Sequence, residues 1–122
     1  MLTERFGCID DTVTDSRTGL TWQRHISEDK LSLDKAKLYA AELRLGGYED
    51  WRVPTKEELL SIVDHTRLGP AIDVEVFPDT PSHWFWTVSP YSNGAWLVNF
   101  FNGSASGNVV GSSSRRVRCV RG

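Results

Sequence analysis

Cysteine is scarce in this chain of 122 residues, which has only Cys8 and Cys119. Together with three scattered histidines, His25, His65 and His83, they do not form a zinc-binding signature. No apolar run is long enough to span a bilayer. The first five residues also lack the apolar segment of a signal peptide. We therefore expect no metal or other cofactor, no membrane span and no signal peptide in this chain.

Acidic residues are missing from the C-terminal third. Residues 80–122 contain four arginines and no Asp or Glu, a net charge of +4, whereas residues 1–79 contain 16 acidic and 10 basic residues, a net charge of −6. The C-terminal segment also lacks Lys, Gln and Met. Because the whole chain is slightly acidic and no nucleic-acid-binding module is recognisable, we expect no nucleic-acid partner.

Catalytic motifs are also absent. Serines are numerous, but none lies in a nucleophile elbow with a base and an orienting acid in evident reach. The glycine-rich segment 103–111 lacks the lysine and the following helix of a phosphate-binding loop. We therefore expect a protein that is not an enzyme.

The segment 46–64 organises the predicted fold. Gly46 and Gly47 end a first helix, which begins after the N-cap residue Ser32 and is amphipathic. Thr55 and Glu58 have the spacing of a capping box, so a second helix is expected from about 56 to 65 or 66. Two amphipathic helices usually cover one face of a sheet.

Several strands are predicted around these helices. Apolar and polar residues alternate at 12–15 and 20–23, on either side of a turn, which predicts a pair of strands. Strands are also predicted at 84–88, 95–101 and 115–121. Residues 89–94 and 104–114 are interpreted as loops, and Asn102-Gly103 is a hairpin turn signal. The prediction is one α+β domain over residues 1–122, with two helices packed on a small mixed or antiparallel sheet.

The strand at 95–101 carries large apolar residues on both faces. Alternation places Trp96, Val98 and Phe100 on one face and Leu97, Asn99 and Phe101 on the other. If the helices cover the Trp96 face, Leu97 and Phe101 are exposed and suggest a binding surface. The alternative is a strand that is buried on both faces.

The composition of residues 103–114, almost entirely Ser, Gly, Ala, Asn and Val, has two explanations. A flexible loop is one of them. The other is genetic, because an Asn codon randomised at its two adenines yields Ser, Gly, Ala, Val, Leu, Phe, Tyr, His or Arg but not Lys, Glu, Gln, Met or Trp. Residues 91–94, 97, 101 and 104–115 all lie within the reachable set.

The C-terminal segment is also rich in arginine. Two or three arginines on one strand, such as Arg116 and Arg118, could bind sulfate, phosphate or carboxylate. The alternative is a solvated edge strand that resists aggregation.

Five separated segments carry a family resemblance. They are Asp15-Ser16-Arg17-Thr18-Gly19-Leu20-Thr21-Trp22-Gln23, Asp50-Trp51-Arg52-Val53-Pro54-Thr55-Lys56-Glu57-Glu58-Leu59, Trp84-Phe85-Trp86, Ala95-Trp96-Leu97-Val98-Asn99-Phe100 and Val117-Arg118-Cys119-Val120-Arg121. Together they resemble the Lcl C-terminal domain family. The resemblance implies a C-type-lectin-like fold, of the variant shared with formylglycine-generating enzymes, with paired N- and C-terminal strands. It also implies an exported or cell-surface bacterial protein.

The state of the two cysteines can be interpreted in two ways. A Cys8–Cys119 disulfide would close nearly the whole chain and stabilise it by about 4–5 kcal/mol in the chain-entropy model. The strand pairing that the resemblance implies would bring the two residues together. The alternative is two free thiols. Neither the cysteine pair of formylglycine-generating enzymes nor the calcium motifs of C-type lectins are present.

The family resemblance implies two binding functions. Collagen-like adhesins of the family bind sulfated glycosaminoglycans and trimerise through this domain, and the C-terminal segment also resembles the variable proteins of diversity-generating retroelements. The first hypothesis is a diversified, non-catalytic domain for a protein or cell-surface ligand, and the second is an adhesin that binds sulfated glycan through Arg115, Arg116, Arg118 and Arg121. A structural or enzymatic role is the third. The candidate ligand-binding residues are Tyr91, Ser92, Asn93, Leu97, Asn99, Phe101, Ser104, Ser106, Asn108, Val110, Ser112, Ser114, Arg115 and Arg116. A homo-oligomer is compatible with all three hypotheses.

Overall fold

The computed structural model describes residues 5–26, 29–108 and 114–122. These residues form two antiparallel sheets and two α-helices, which confirms the α+β class. The strands are β1 (Phe6–Ile9), β2 (Thr12–Asp15), β3 (Thr21–Gln23), β4 (Trp84–Tyr91), β5 (Gly94–Asn99), β6 (Ser104–Asn108) and β7 (Val120–Arg121). The helices are α1 (Leu33–Glu42) and α2 (Lys56–Leu60), with a 3₁₀ turn at Leu45–Gly47 between them.

The first sheet has the strand order β1-β2-β3-β7. The C-terminal strand therefore pairs with β3 and not with the N-terminal strand. Cys8 is three strand spacings from β7, about 14 Å, which is well beyond the reach of a disulfide. Cys8 is exposed, Cys119 is buried, and both are free thiols, so of the two interpretations the free thiols are observed and the possible Cys8–Cys119 disulfide is not formed. Burial raises the pKa of the Cys119 thiol to about 12.

The second sheet has the order β4-β5-β6 and contains most of the candidate residues. Where a loop was predicted at 89–94, β4 continues to Tyr91, and only Ser92 and Asn93 form the turn before β5. A register shift between Trp86 and Pro90 admits the proline into the ladder. Residues 104–108, predicted as loop, form β6, because β5 pairs with them in continuous register.

Both predicted helix starts are confirmed. The Ser32 hydroxyl accepts a hydrogen bond from the Lys35 backbone N–H at 3.3 Å, and Thr55 and Glu58 form the capping box. However, α2 ends at Leu60, several residues before the predicted end. Beyond Leu60 the backbone N–H groups of Ile62 and Val63 donate to carbonyls three residues back, at 3.3 and 3.1 Å, a tighter turn that ends the α-helix. The Ser61 hydroxyl also donates to the Glu58 carbonyl at 2.5 Å.

The two helices lie on opposite faces of the β4–β5–β6 sheet, and not on one face as predicted. Leu33 and Ala36 of α1 pack in the same core cluster as Leu97. Leu59 of α2 packs with Val98, in a cluster that also includes residues of the first sheet. The central sheet is therefore covered on both sides.

Candidate ligand-binding surface

Leu97 is not a surface anchor. Its side chain is 3% exposed and belongs to the same core cluster as Leu33 and Ala36 of α1. Most of β5 is therefore buried on both faces, which was the alternative interpretation. The reason is that α1 covers the Leu97 face, which we had expected to be open. In this structure Leu97 cannot contact a ligand.

The other candidate residues differ in exposure. Tyr91, Ser92, Asn93, Phe101, Ser104 and Ser106 are exposed, and Asn99, Ser114, Arg115 and Arg116 are half-buried. Asn108 ends β6 opposite Ala95. Val110 and Ser112 lie outside the described residues.

One row of side chains crosses all three strands. The register aligns Trp84 of β4 with Asn99 of β5 and Ser104 of β6, so the three side chains share one face of the sheet. Trp84 and Asn99 are half-buried, and Ser104 is exposed. Hydroxyl and amide groups beside an indole ring offer both hydrogen bonding and apolar contact to a ligand.

Basic side chains collect at the Trp84 end of this row. A cavity of about 70 Å³ is lined by Lys30, His83, Trp84, Ser114, Arg115 and Arg116. No Asp or Glu is among its described lining residues. The backbones of Leu31 and Arg115 exchange two hydrogen bonds, at 2.8 and 2.9 Å, which brings Lys30 and Arg115 together. This cationic cluster can attract an anionic ligand.

Arg118 does not belong to any binding surface. It is 0% exposed, and its guanidinium donates to the carbonyls of Gln23 and Arg24 and to the Thr80 hydroxyl, at 2.6–2.7 Å. Burial lowers the pKa of Arg118 to about 9, so it remains a cation at neutral pH. The proposed glycan role of Arg118 is therefore wrong.

Arg121 is also engaged within the domain. Its guanidinium donates to the Asp50 carboxylate at 2.6 and 3.1 Å and lies 3.8 Å from the centre of the Tyr48 ring. The hydrogen bonds from Arg121 lower the pKa of Asp50. Of the four C-terminal arginines, only Arg115 and Arg116 line the cationic cavity.

Tyr91 belongs to a different group of residues. Its ring packs edge to face on Trp96, with centroids 5.2 Å apart, and the Lys56 ammonium lies 4.2 Å from the centre of the Trp96 ring. Lys56 is the first residue of α2, and its backbone N–H donates to the Ser89 hydroxyl at 2.8 Å. The hairpin end is thus fixed to the helix by backbone and side-chain contacts.

Phe101 lies at the opposite end of the sheet from Tyr91. Tyr91 pairs with Gly94 at the start of β5, whereas Phe101 follows Asn99 at its end, about 17 Å further along the strand. Phe101 is 50% exposed and lies near Gly69. Tyr91 and Phe101 are therefore not two anchors of a single small patch.

Sequence reasoning did not identify Lys30, Lys56, His83 or Trp84 as site residues. Trp84 had been assigned only to a strand, and the others are isolated in the sequence. Their roles depend on contacts between distant segments, which no local pattern indicates.

A larger cavity lies away from the candidate ligand-binding surface. A cavity of about 670 Å³ lies between the β1–β2 turn and the 3₁₀ turn, and none of the candidate ligand-binding residues lines it. Among the described residues, no group of three or more His, Cys, Asp or Glu side chains could hold a metal ion. None of the helices in the described part of the chain has the length and apolarity needed to cross a membrane.

Comparison with known proteins gives one finding. The family model that matches this chain is described as the Lcl C-terminal domain, and the match covers residues 11–121. No curated protein matches the chain.

Proposed function

The chain belongs to the Lcl C-terminal domain family, and we propose that it is a non-catalytic ligand-binding domain whose C-terminal surface is diversified in sequence. The ligand is a protein or another cell-surface molecule, and the domain itself is exported or displayed on a surface. The binding surface comprises the exposed and half-buried candidate residues of the β4–β5–β6 sheet and its turns. These residues lie on both faces of the sheet, with Tyr91 on the Trp96 face and Ser104 and Ser106 on the Leu97 face. Leu97 is excluded from it.

The observation that carries this proposal is the separation of framework and surface between neighbouring strands of one sheet. Ala95, Val98 and Phe100 are buried in the two core clusters, whereas Ser104 and Ser106 project from the neighbouring strand into solvent. Because the ladder of backbone hydrogen bonds fixes their positions, the exposed side chains can change without altering the core.

The composition of the exposed positions supports the same proposal. Tyr91, Ser92, Asn93, Phe101 and Ser104 are all residues that an Asn codon randomised at its adenines can encode. Trp96 lies outside that set, and its ring contacts both Tyr91 and the Lys56 ammonium, as expected of a framework residue.

The test is to sequence the gene together with its flanking DNA. We expect a nearby second copy of the codons for residues 91–115, beside a reverse-transcriptase gene, which differs from the first only where the copy has adenines. Ordinary codons without such a copy would refute the hypothesis that the surface is diversified.

A second candidate function is the binding of a sulfated glycan. The cationic cluster of Lys30, Arg115 and Arg116 around Trp84 favours it, because arginine pairs with sulfate bidentately and the ring can contact a sugar. Arg118 and Arg121 take no part in it.

For this second candidate, we expect salt-sensitive retention on heparin that falls markedly in Lys30→Ser/Arg115→Ser. The matched control is Lys37→Ser/Arg44→Ser, which removes the same charges from exposed positions on and just after α1. Equal loss of retention in both double variants would indicate a net-charge effect and would refute a glycan site at the cluster.

A further inference from the structure

Tyr91 covers Gly107 on the edge strand β6. A Cβ built on Gly107 would overlap the Tyr91 ring at Cδ1, Cδ2 and Cε1. Gly107 does not have a positive φ, so its backbone conformation is open to any residue. Glycine is therefore needed at 107 only because the Tyr91 ring occupies the space of a side chain.

The covered glycine belongs to a layer built from three elements. Gly107 of β6 pairs with Trp96 of β5, and Tyr91 of β4 packs against Trp96 while covering Gly107. The Lys56 ammonium lies 4.2 Å from the centre of the same Trp96 ring. Tyr91 is still 40% exposed, so the layer presents aromatic surface to solvent.

A side chain at position 107 would force a change at position 91. The Tyr91 ring cannot remain where it lies, and because it is partly exposed beside a two-residue turn, rotation about its side-chain torsions is the available response. The ring would then project from the surface and leave Trp96 less covered. The same two positions can thus present two different surfaces.

We propose that residues 91 and 107 act as one specificity-determining unit of the binding surface. With glycine at 107, the aromatic residue at 91 lies flat and contributes its remaining exposed surface together with Trp96. With any larger residue at 107, the residue at 91 projects as a separate contact. This inference rests on the proposed binding function, and both positions lie within the segment proposed to be diversified.

The steric part of the inference is tested without a ligand. In the NMR spectrum, the α-protons of Gly107 should be shifted upfield by the Tyr91 ring, and this shift should vanish in Tyr91→Ser. Gly107→Ser should lower the Tm by about 3–5 °C in the parent chain. In the Tyr91→Ser background it should leave the Tm unchanged or raise it, because a side chain then replaces glycine in a strand without a clash.

Gly7→Ser is the matched control. Gly7 lies on β1, an edge strand of the first sheet. It also has no positive φ, and no atom lies within 4 Å of a Cβ built on it. Its effect on the Tm should be independent of residue 91. Additive effects of the Tyr91 and Gly107 substitutions, or unshifted Gly107 α-protons, would overturn the proposal.

The specificity part is tested by displaying a library randomised at 91 and 107 and selecting it on immobilised lysozyme and, separately, on streptavidin. We expect binders in which aromatic residues at 91 and glycine at 107 are paired more often than independent selection would give, with different pairings on the two targets. Independent recovery at the two positions would overturn the specificity unit alone. Failure to enrich any binder, with the NMR shift intact, would instead count against the proposed binding function.

Discussion

Replacing Arg118 by alanine should destabilise the domain by about 3 kcal/mol. The reason is that three oxygen acceptors, the carbonyls of Gln23 and Arg24 and the hydroxyl of Thr80, would lose the donor that they share. A buried acceptor left without a donor costs about 1–3 kcal/mol. Relief from burying the guanidinium offsets part of this sum, which is why the expected loss is well below the maximum.

Arg118→Lys should recover only part of the lost stability. A lysine ammonium is a point donor and cannot reproduce the planar fork that reaches three acceptors from two different segments. Urea unfolding of the parent chain and of both variants measures the difference. Arg121→Ala is the control, because it removes an arginine three residues away whose partner Asp50 is solvent-exposed, and it should have a much smaller effect.

A stability loss for Arg118→Ala no larger than that of Arg121→Ala would mean that Arg118 does not hold the C-terminal segment against residues 23 and 24. The expected result also affects how glycan binding is studied. If Arg118→Ala partly unfolds the domain, a loss of heparin retention in that variant reports on folding. The Lys30→Ser/Arg115→Ser variant then provides the clean test of the cationic cluster.

The sequence allowed the start of each helix and the alternation within β5 to be predicted, because both depend on near neighbours. Ser32 and Thr55 satisfy backbone donors within three residues, and Leu97 and Val98 face opposite ways in any extended chain. The end of α2 was missed, because Ser61 forms a local bond that is equally compatible with a continuing helix.

Which face of the central sheet each helix covers could not be predicted in the same way. Amphipathicity shows that α1 and α2 each bury one side, but not which side of which sheet they cover. The pairing of β7 with β3 is likewise a contact between residues almost 100 positions apart in the chain. The same limit applies to the arginines, since alternation alone does not distinguish buried Arg118 from half-buried Arg116.

Leu97→Asn should be among the most destabilising substitutions in the β4–β5–β6 sheet, with a loss of about 3–5 kcal/mol. It removes a buried leucine side chain, which by itself costs about 2–5 kcal/mol. It also places an amide in an apolar cluster that contains Ala36, Trp86 and Val117. Chemical denaturation monitored by tryptophan fluorescence measures the loss.

Ser106→Asn is the matched comparison, because Ser106 lies directly opposite Leu97 in the β5–β6 ladder and is exposed. The same residue is introduced on neighbouring strands and on the same face, and only burial differs. The expected change for Ser106→Asn is within about 0.5 kcal/mol. Similar losses at both positions would mean that the exposed side chains of β6 are coupled to the core, and a surface of that kind could not be diversified freely. A large loss of stability for Leu97→Asn with little change for Ser106→Asn would instead show that Leu97 belongs to the framework and Ser106 to the variable surface, although the two residues are paired across adjacent strands.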